Sequence, residues 1–198
     1  MKRTGNKGFT TIVLLLVIAG LGYYTYLSNH ANSSRDIPKD TEVEQLLTYD
    51  FENDYPKTVR ETVKLHCRYL KCAYNAGFTE DELSTANRQI RKLFDQELLE
   101  FNSEEAQLQD MKEDIKLYDE KKQKFTSYSL GEASQVVYNT ENGKDYAKIK
   151  ATIVLRVDAV NMSVDREYIL RKDEDGRWKI LGWESVTNKA AENEGDAE

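Results

Sequence analysis

The longest apolar stretch of the chain lies near its N-terminus. Residues 9–27 carry no charged side chain, and a helix of that length, at about 1.5 Å per residue, reaches roughly across the hydrocarbon core of a bilayer. The residues expected at the membrane interface are Lys2, Arg3 and Lys7 before the stretch and Tyr23, Tyr24 and Tyr26 at its far end. A basic flank stays in the cytoplasm. The pattern therefore predicts a cytoplasmic N-terminus at 1–8, a single-pass transmembrane anchor at 9–27 and an extracytoplasmic remainder, with a cleaved signal peptide as the alternative.

Helical periodicity begins after a polar stretch, residues 28–40, which we interpret as a stalk. Thr41 and Glu44 form a capping-box pattern, which predicts a first helix from there to about residue 50. Pro56 suits the first turn of a second helix, and Gly77 suits its C-terminal end. Apolar residues at helical spacing mark the buried stripe of this second helix: Val59, Val63, Cys67, Leu70 and Tyr74.

The clearest helix start in the sequence comes at Thr79. Glu82 closes a capping box with Thr79, and Phe78 is placed to pack on Leu83 as a hydrophobic staple. The buried face predicted for this helix consists of Leu83, Ile90, Phe94 and Phe101. Ser103 is the predicted N-cap of a further helix. The inner side of that helix consists of Leu108, Met111, Ile115 and Tyr118.

After residue 124 the apolar period changes from that of a helix to that of a strand. Alternation is cleanest over 147–157, and the pairs Asn142-Gly143 and Asp175-Gly176 are typical of tight turns. The predicted strands are 126–138, 147–157, 163–172 and 177–186, arranged as a meander. Helices followed by an antiparallel sheet predict an α+β domain over 41–187, with the helices packed on one face of a curved sheet. The tail at 188–198 is acidic and is predicted to be disordered.

The closing hairpin carries a resemblance to a known fold. Its sequence Asp175-Gly-Arg-Trp-Lys-Ile180 resembles the last strand of many nuclear-transport-factor-2-like (cystatin-like) domains, which implies a cone-shaped α+β domain. The chain as a whole is similar to small membrane-anchored proteins of unknown function from Gram-positive anaerobes, through its Tyr-rich anchor end and its terminal Gly-Trp strand. Enzymes of this fold place side chains inside the cone. The residues expected to line such a pocket here are His66, Tyr69, Tyr74, Trp178 and Trp183, although simple core packing is the other interpretation of the two tryptophans.

Charge and motif content narrow the function. Beyond the N-terminal Lys2, Arg3 and Lys7 the chain carries 25 basic and 35 acidic residues, which argues against nucleic-acid binding. The two histidines, His30 and His66, form no metal-binding or catalytic spacing with the rest of the sequence. Cys67 and Cys72 are five residues apart on one predicted helix, too far round it for a disulfide. We therefore expect no enzyme activity, no cofactor and no metal.

Three functions remain. The first is a protein-interaction module of the cell envelope, whose partners are the membrane bilayer and either another envelope protein or a second copy of the chain. The second is a binder of a small apolar or amphipathic ligand in the cone. The third is a pilin-like subunit, because the residues around Gly8 and Phe9 resemble the processing site of type IV prepilins, although Val13 stands where that family has a glutamate.

Overall fold

The computed structural model of the protein describes residues 39–186. The predicted anchor, the six membrane-interface residues, the Gly8-Phe9 site, most of the stalk and the acidic tail lie outside the described residues. Within 39–186, no helix is both long enough and apolar enough to cross a membrane.

The described residues have the predicted α+β architecture, with helices packed on one face of a curved antiparallel sheet. The helices are α1 Lys39–Leu47, α2 Val59–Tyr74, α3 Glu80–Arg91, α4 Gln96–Phe101 and α5 Glu104–Glu120. The strands are β1 Gln123–Leu130, β2 Val137–Glu141, β3 Lys144–Val157, β4 Val160–Lys172 and β5 Trp178–Ser185. A short 3₁₀ turn, Ala133–Gln135, separates β1 from β2.

Local capping chemistry sets where α2 and α3 begin. The capping box of Thr79 and Glu82 is present as predicted, and α3 begins directly after Thr79. The predicted start of α2 at Pro56 is wrong, because α2 begins after Thr58. The hydroxyl of Thr58 accepts from the Glu61 N–H, and the Glu61 carboxylate accepts from the Thr58 N–H.

The first helix also begins elsewhere than predicted. It starts at Lys39, within the stretch interpreted as a stalk, so Thr41 lies inside the helix and is not its N-cap. The helix ends at Leu47, before the predicted end near residue 50. The capping-box pattern at Thr41 and Glu44 is therefore a false start signal, which is a common hazard of a four-residue motif.

Gly77 stands one position further along the end of α2 than predicted. Ala76 occupies the left-handed position, with φ 52°. The Ala76 N–H donates to the Ala73 carbonyl, and the Gly77 N–H donates to the Cys72 carbonyl at 2.8 Å, which together form a Schellman ending. A Cβ at Gly77 would lie 2.6 Å from the Cys72 carbonyl oxygen. Glycine is needed here for this close approach and not for a positive φ.

The helix predicted to bury Phe101 is interrupted. α3 ends at Arg91, Phe94 lies in an extended segment, and α4 follows as a separate short helix. Phe94 is buried as predicted, but Phe101 is 86% exposed, so its predicted burial is wrong. The physical reason is tertiary, since the backbone around Phe94 pairs with β5 instead of continuing the helix.

The sheet is a meander whose first strand is broken. β3 pairs with β4 and β4 pairs with β5, while β1 and β2 lie end to end along the other side of β3. Leu130 pairs with Ala151 and Val137 pairs with Lys148, so six residues lie between these pairs on this side, whereas only two lie between them in β3. The prediction of one continuous strand over 126–138 is therefore wrong. The excursion between β1 and β2 gives the sheet two separate edge strands on the same side.

The core lies between the helices and the inner face of the sheet. The inner residues of β3 alternate as predicted, and all are buried: Ala147, Ile149, Ala151, Ile153 and Leu155. From the stripe of α2, Val59, Val63, Cys67 and Leu70 are buried against them, and Tyr74 is partly buried. Phe125 of β1 and Tyr168 of β4 fill the centre of this face.

Candidate functional site

The edge of the sheet at β5 is covered by the chain segment between α3 and α4. The Ile180 N–H donates to the Leu93 carbonyl, and the Asp95 N–H donates to the Ile180 carbonyl, both at 2.8 Å. The Arg171 guanidinium holds this segment by a bidentate ion pair with Asp95, and it also contacts Glu97 at 3.1 Å. Asp95 is 4% exposed. The backbone N–H and carbonyl of Ile180 are therefore both bonded by this segment, and a largely buried ion pair holds the segment in place.

At Phe125 the edge of β1 is covered by a side chain. The Asn75 amide donates to the Phe125 carbonyl at 2.8 Å and accepts from the Phe125 N–H at 3.0 Å. One asparagine thus does for Phe125 what a neighbouring strand would do. The Arg60 guanidinium donates to the carbonyl of Gly131, just beyond the end of β1.

The edge at β2 has a different character. All five of its residues, Val137–Glu141, are exposed, including Val137 at 62% and Tyr138 at 60%. Among the described strands β2 pairs with β3 alone, so its outer side faces solvent. Exposed edge strands offer unpaired backbone donors and acceptors to another chain. We call Val137–Glu141 the open strand and treat it as the candidate functional site.

The outer face of the sheet next to the open strand is polar. A groove of about 460 Å³ lies beside the excursion between β1 and β2, and Val137, Lys148, Lys150 and Glu167 are among the residues that line it. The Lys148 ammonium pairs with the Glu167 carboxylate at 3.0 Å. The open strand therefore adjoins a face that carries two lysines.

The structure brings together only two of the five residues predicted to line a pocket. The ring of His66 lies 5.0 Å from that of Trp183, and Phe94 and Tyr168 complete this aromatic cluster at 5.6 and 5.5 Å from His66. His66 Nδ1 lies 3.1 Å from the Tyr168 hydroxyl. His66 Nε2 is buried and has no hydrogen-bond partner among the described residues.

The other three predicted pocket residues lie apart. The Tyr69 hydroxyl donates to the Leu46 carbonyl at 2.6 Å and so ties α2 to α1. Tyr74 stacks on Tyr118 and donates to Asp114 on α5. Trp178 packs near Tyr138 on the inner side of the sheet.

Burial sets the protonation of the aromatic cluster. Desolvation, together with the nearby positive charge of Arg166, lowers the pKa of His66 to about 3, so the ring is neutral at physiological pH. Desolvation raises the pKa of the adjacent Cys67 thiol to about 12. A neutral imidazole beside a protonated thiol is a packing arrangement and not an activated nucleophile.

Another cleft, larger than the groove beside the open strand, does not involve the predicted pocket residues either. It measures about 730 Å³ and is lined mainly by charged residues, among them Arg91, Lys144, Asp173 and Lys179. None of His66, Tyr69, Tyr74, Trp178 and Trp183 lines it or the groove beside the open strand. Within 39–186 no group of three or more histidine, cysteine, aspartate or glutamate side chains is placed to hold a metal ion.

Comparison with known families places the chain. A family profile described as a domain of unknown function, DUF6715, matches residues 1–183. The chain belongs to this family. The DUF6715 match includes the apolar N-terminal stretch and almost all of the α+β domain. A search of curated proteins finds no match to the chain.

Sequence reasoning missed the residues that distinguish the edges. Asn75 follows a helix and Phe125 lies 50 residues later, so no local pattern links them. Asp95 was readable as an N-cap, because its carboxylate accepts from the Glu97 N–H, but its ion pair with Arg171 is a contact between distant segments. The open strand did leave a local signal, since Val136, Val137 and Tyr138 break the alternation just before the Asn142-Gly143 turn.

Proposed function

We propose that the chain is a single-pass, membrane-anchored protein-interaction module, with its α+β domain outside the cytoplasm in the form of an NTF2-like cone. The open strand is the docking site in this proposal. Addition of an extended segment to an exposed sheet edge is an established mode of recognition, in which main-chain hydrogen bonds give affinity and alternate side chains give specificity. No catalytic role and no cofactor is part of the proposal.

The observation that carries the proposal is the contrast between the edges. The backbone N–H and carbonyl of Ile180 on β5 and of Phe125 on β1 have hydrogen-bond partners within the chain. The five residues of β2, by contrast, are exposed. Proteins usually protect sheet edges, because an exposed edge pairs with other chains. An exposed edge strand that carries an exposed valine and an exposed tyrosine is therefore consistent with a binding surface.

Membrane attachment is supported by the sequence. The 19 uncharged residues at 9–27 have the length and flanks of a transmembrane helix. The family profile includes them together with the domain. In this proposal the basic N-terminus stays in the cytoplasm, and the anchor limits the docking site to partners at or near the membrane surface.

The proposal is tested by cross-linking the full-length protein in its native membranes and identifying the products by mass spectrometry. Two variants are compared with the parent: Asn139→Lys on the open strand, and Ser163→Lys at the exposed beginning of β4, on the other side of β3 from the open strand. Both add one positive charge at an exposed position. We expect a stoichiometric cross-linked product that is lost in the Asn139 variant and retained in the Ser163 variant. A product that both variants retain, or that both lose equally, would contradict docking at the open strand.

A small-ligand function has one observation in its favour. Nε2 of His66 is buried without a hydrogen-bond partner among the described residues, and Trp183 beside it is 39% exposed. Rotation of Trp183 would open a way for an amphipathic molecule to reach that nitrogen. An apolar dye such as anilinonaphthalene sulfonate should then bind saturably and raise the melting temperature of the full chain, and a Trp183→Phe variant should alter both effects. Absence of saturable binding excludes this alternative.

The pilin-like alternative concerns residues outside 39–186 and stays a prediction from the sequence. Processing between Gly8 and Phe9 would leave a chain that begins at Phe9. Mass spectrometry of the N-terminal peptide from native membranes decides it, because a peptide beginning at Met1 or Lys2 excludes processing.

A further inference from the structure

The open strand has a sequence that can pair with itself. When Val137–Glu141 is laid antiparallel against a second copy with Asn139 at the centre, Asn139 faces Asn139, Tyr138 faces Thr140, and Val137 faces Glu141. We infer that the open strand is an interface between two copies of this chain. This inference rests on the proposed function, because it names the partner that docks at the same strand.

The side chains brought opposite one another in this pairing are compatible. An aromatic side chain opposite a β-branched one, here Tyr138 opposite Thr140, is among the favourable cross-strand pairs. Asn139 opposite Asn139 places two amides, each both donor and acceptor, within reach of each other. No like charges face each other directly. Repulsion between like charges is the usual reason that an exposed edge avoids its own copy.

The pairing also brings opposite charges near each other, on Glu141 of one copy and Lys148 of the other. Val137 pairs with Lys148 within one chain, so these two side chains lie on the same face of the sheet. Glu141 of one copy, placed opposite Val137 of the other, comes one strand away from Lys148 of that other copy. The carboxylate and the ammonium then have opposite charges within reach of their flexible side chains.

The overall charge distribution favours contact through the sheet. Residues 80–120, which form α3 to α5, carry 13 acidic and 5 basic side chains, whereas residues 121–185, which form the sheet, carry 10 acidic and 12 basic ones. Two copies joined at the open strand meet through their nearly neutral parts. Their acidic helical segments stay at a distance, which limits the repulsion between two negatively charged chains.

The symmetry of the pairing suits two chains in one membrane. An antiparallel edge-to-edge pair has a twofold axis perpendicular to the sheet, and it joins the two sheets into one with both helical layers on the same side. In each copy α1 packs on the helices, through the bonds from Tyr69 to Leu46 and from Gln89 to Leu47. Both copies of Lys39, where α1 begins, therefore lie on the same side of the joined sheet. Two chains with predicted anchors in one bilayer require this arrangement.

The test uses the position that lies on the twofold axis. In the pairing, the two Asn139 Cα atoms come about 4.5–5.5 Å apart, which is within the range that a disulfide bridges. The full-length Asn139→Cys variant is oxidised mildly in its native membranes and run on a non-reducing gel. We expect a reducible band at about twice the 22.9 kDa mass of the chain. The matched control is Ser163→Cys, which is exposed at the beginning of β4 on the other side of β3 from the open strand, and the parent protein contains only the buried Cys67 and Cys72.

Each outcome bears on the inference. A dimer band for Asn139→Cys that is absent or much weaker for Ser163→Cys supports a second copy at the open strand. No band, or equal bands for both variants, overturns it. The same Asn139→Cys protein is then labelled with a benzophenone maleimide and irradiated: a cross-link to a different protein overturns the inference and leaves the proposed function standing, whereas no cross-link to any protein overturns both.

Discussion

Two strands, β1 and β2, pair with the same side of β3, and their outer edges differ in what covers them. At β1 the Asn75 side chain binds both the N–H and the carbonyl of Phe125, which is buried. At β2, a few residues further along the same edge, Val137–Glu141 are all exposed. Both strands pair antiparallel with β3, so their edges differ only in what covers the outer side. A covered edge contributes to the stability of the fold, whereas an open edge is available for binding, and substitutions should separate the two roles.

The largest effect is expected at the edge that is covered by charge. Asp95→Ala removes one partner of a mostly buried ion pair and leaves Arg171 with only the exposed Glu97 carboxylate as a partner, so we expect the free energy of unfolding to fall by about 3 kcal/mol. Chemical denaturation of the full chain in mild detergent measures it. The control is Glu97→Ala, which removes the exposed second partner of Arg171 and should cost less than about 1 kcal/mol. Equal effects would show that the segment does not depend on the buried pair.

A smaller loss is expected at the edge that is covered by a side chain. Asn75→Ala leaves the N–H and the carbonyl of Phe125 without their partner, so we expect a loss of about 2 kcal/mol in the free energy of unfolding. Hydrogen exchange at the Phe125 amide should rise in the same variant. If the amide stays as protected as in the parent, another group covers this edge and the comparison with β2 fails.

The free energy of unfolding should also depend on pH, through the buried His66. The folded-state pKa of His66 is lowered to about 3 from an ordinary 6.5, so between these values the unfolded chain binds a proton that the folded chain does not. Stability is complete above pH 6.5 and declines as the pH falls towards 3. From pH 6.5 to pH 5, where carboxylates titrate little, the loss should be about 1.5 kcal/mol. A His66→Gln variant should lack this slope, and an unchanged slope would mean that His66 is not its source.

The smallest effect on stability is expected at the open strand. Asn139→Lys changes an exposed side chain on β2, and we expect the free energy of unfolding to change by no more than about 0.5 kcal/mol. The same substitution should abolish the cross-linked product, because two lysines would face each other in the pairing. A large loss of stability would mean that the Asn139 side chain contributes to the stability of the fold, which would contradict the role of the open strand as a surface free for binding.

Patterns within short stretches predicted much of this fold. The capping box at Thr79, the N-cap at Ser103, the alternation along β3 and the two glycine turns all reflect interactions between residues near in sequence. The errors arose where distant segments decide. The backbone of Leu93–Asp95 leaves the helix because β5 offers it hydrogen bonds, and Phe101 is exposed as a consequence.

The predicted pocket failed to assemble as one site for a related reason. Residue type and helical position placed His66, Tyr69 and Tyr74 on one helix, but they lie on different sides of it and meet different elements. His66 and Trp183 come together because Trp183 lies opposite Tyr168 in the pairing of β5 with β4. Such register information is absent from a single sequence, as is the placement of Asn75 beside β1.

Amide hydrogen exchange tests the central claim most directly, by comparing the full chain in its native membranes with the same chain solubilised and diluted to a monomer. The account predicts that exchange in the membrane slows at Val137–Glu141 and is unchanged at Phe125 and at Ile180, whose backbone groups are covered in either state. Unchanged exchange at the open strand, or equal slowing along all edges of the sheet, would contradict it.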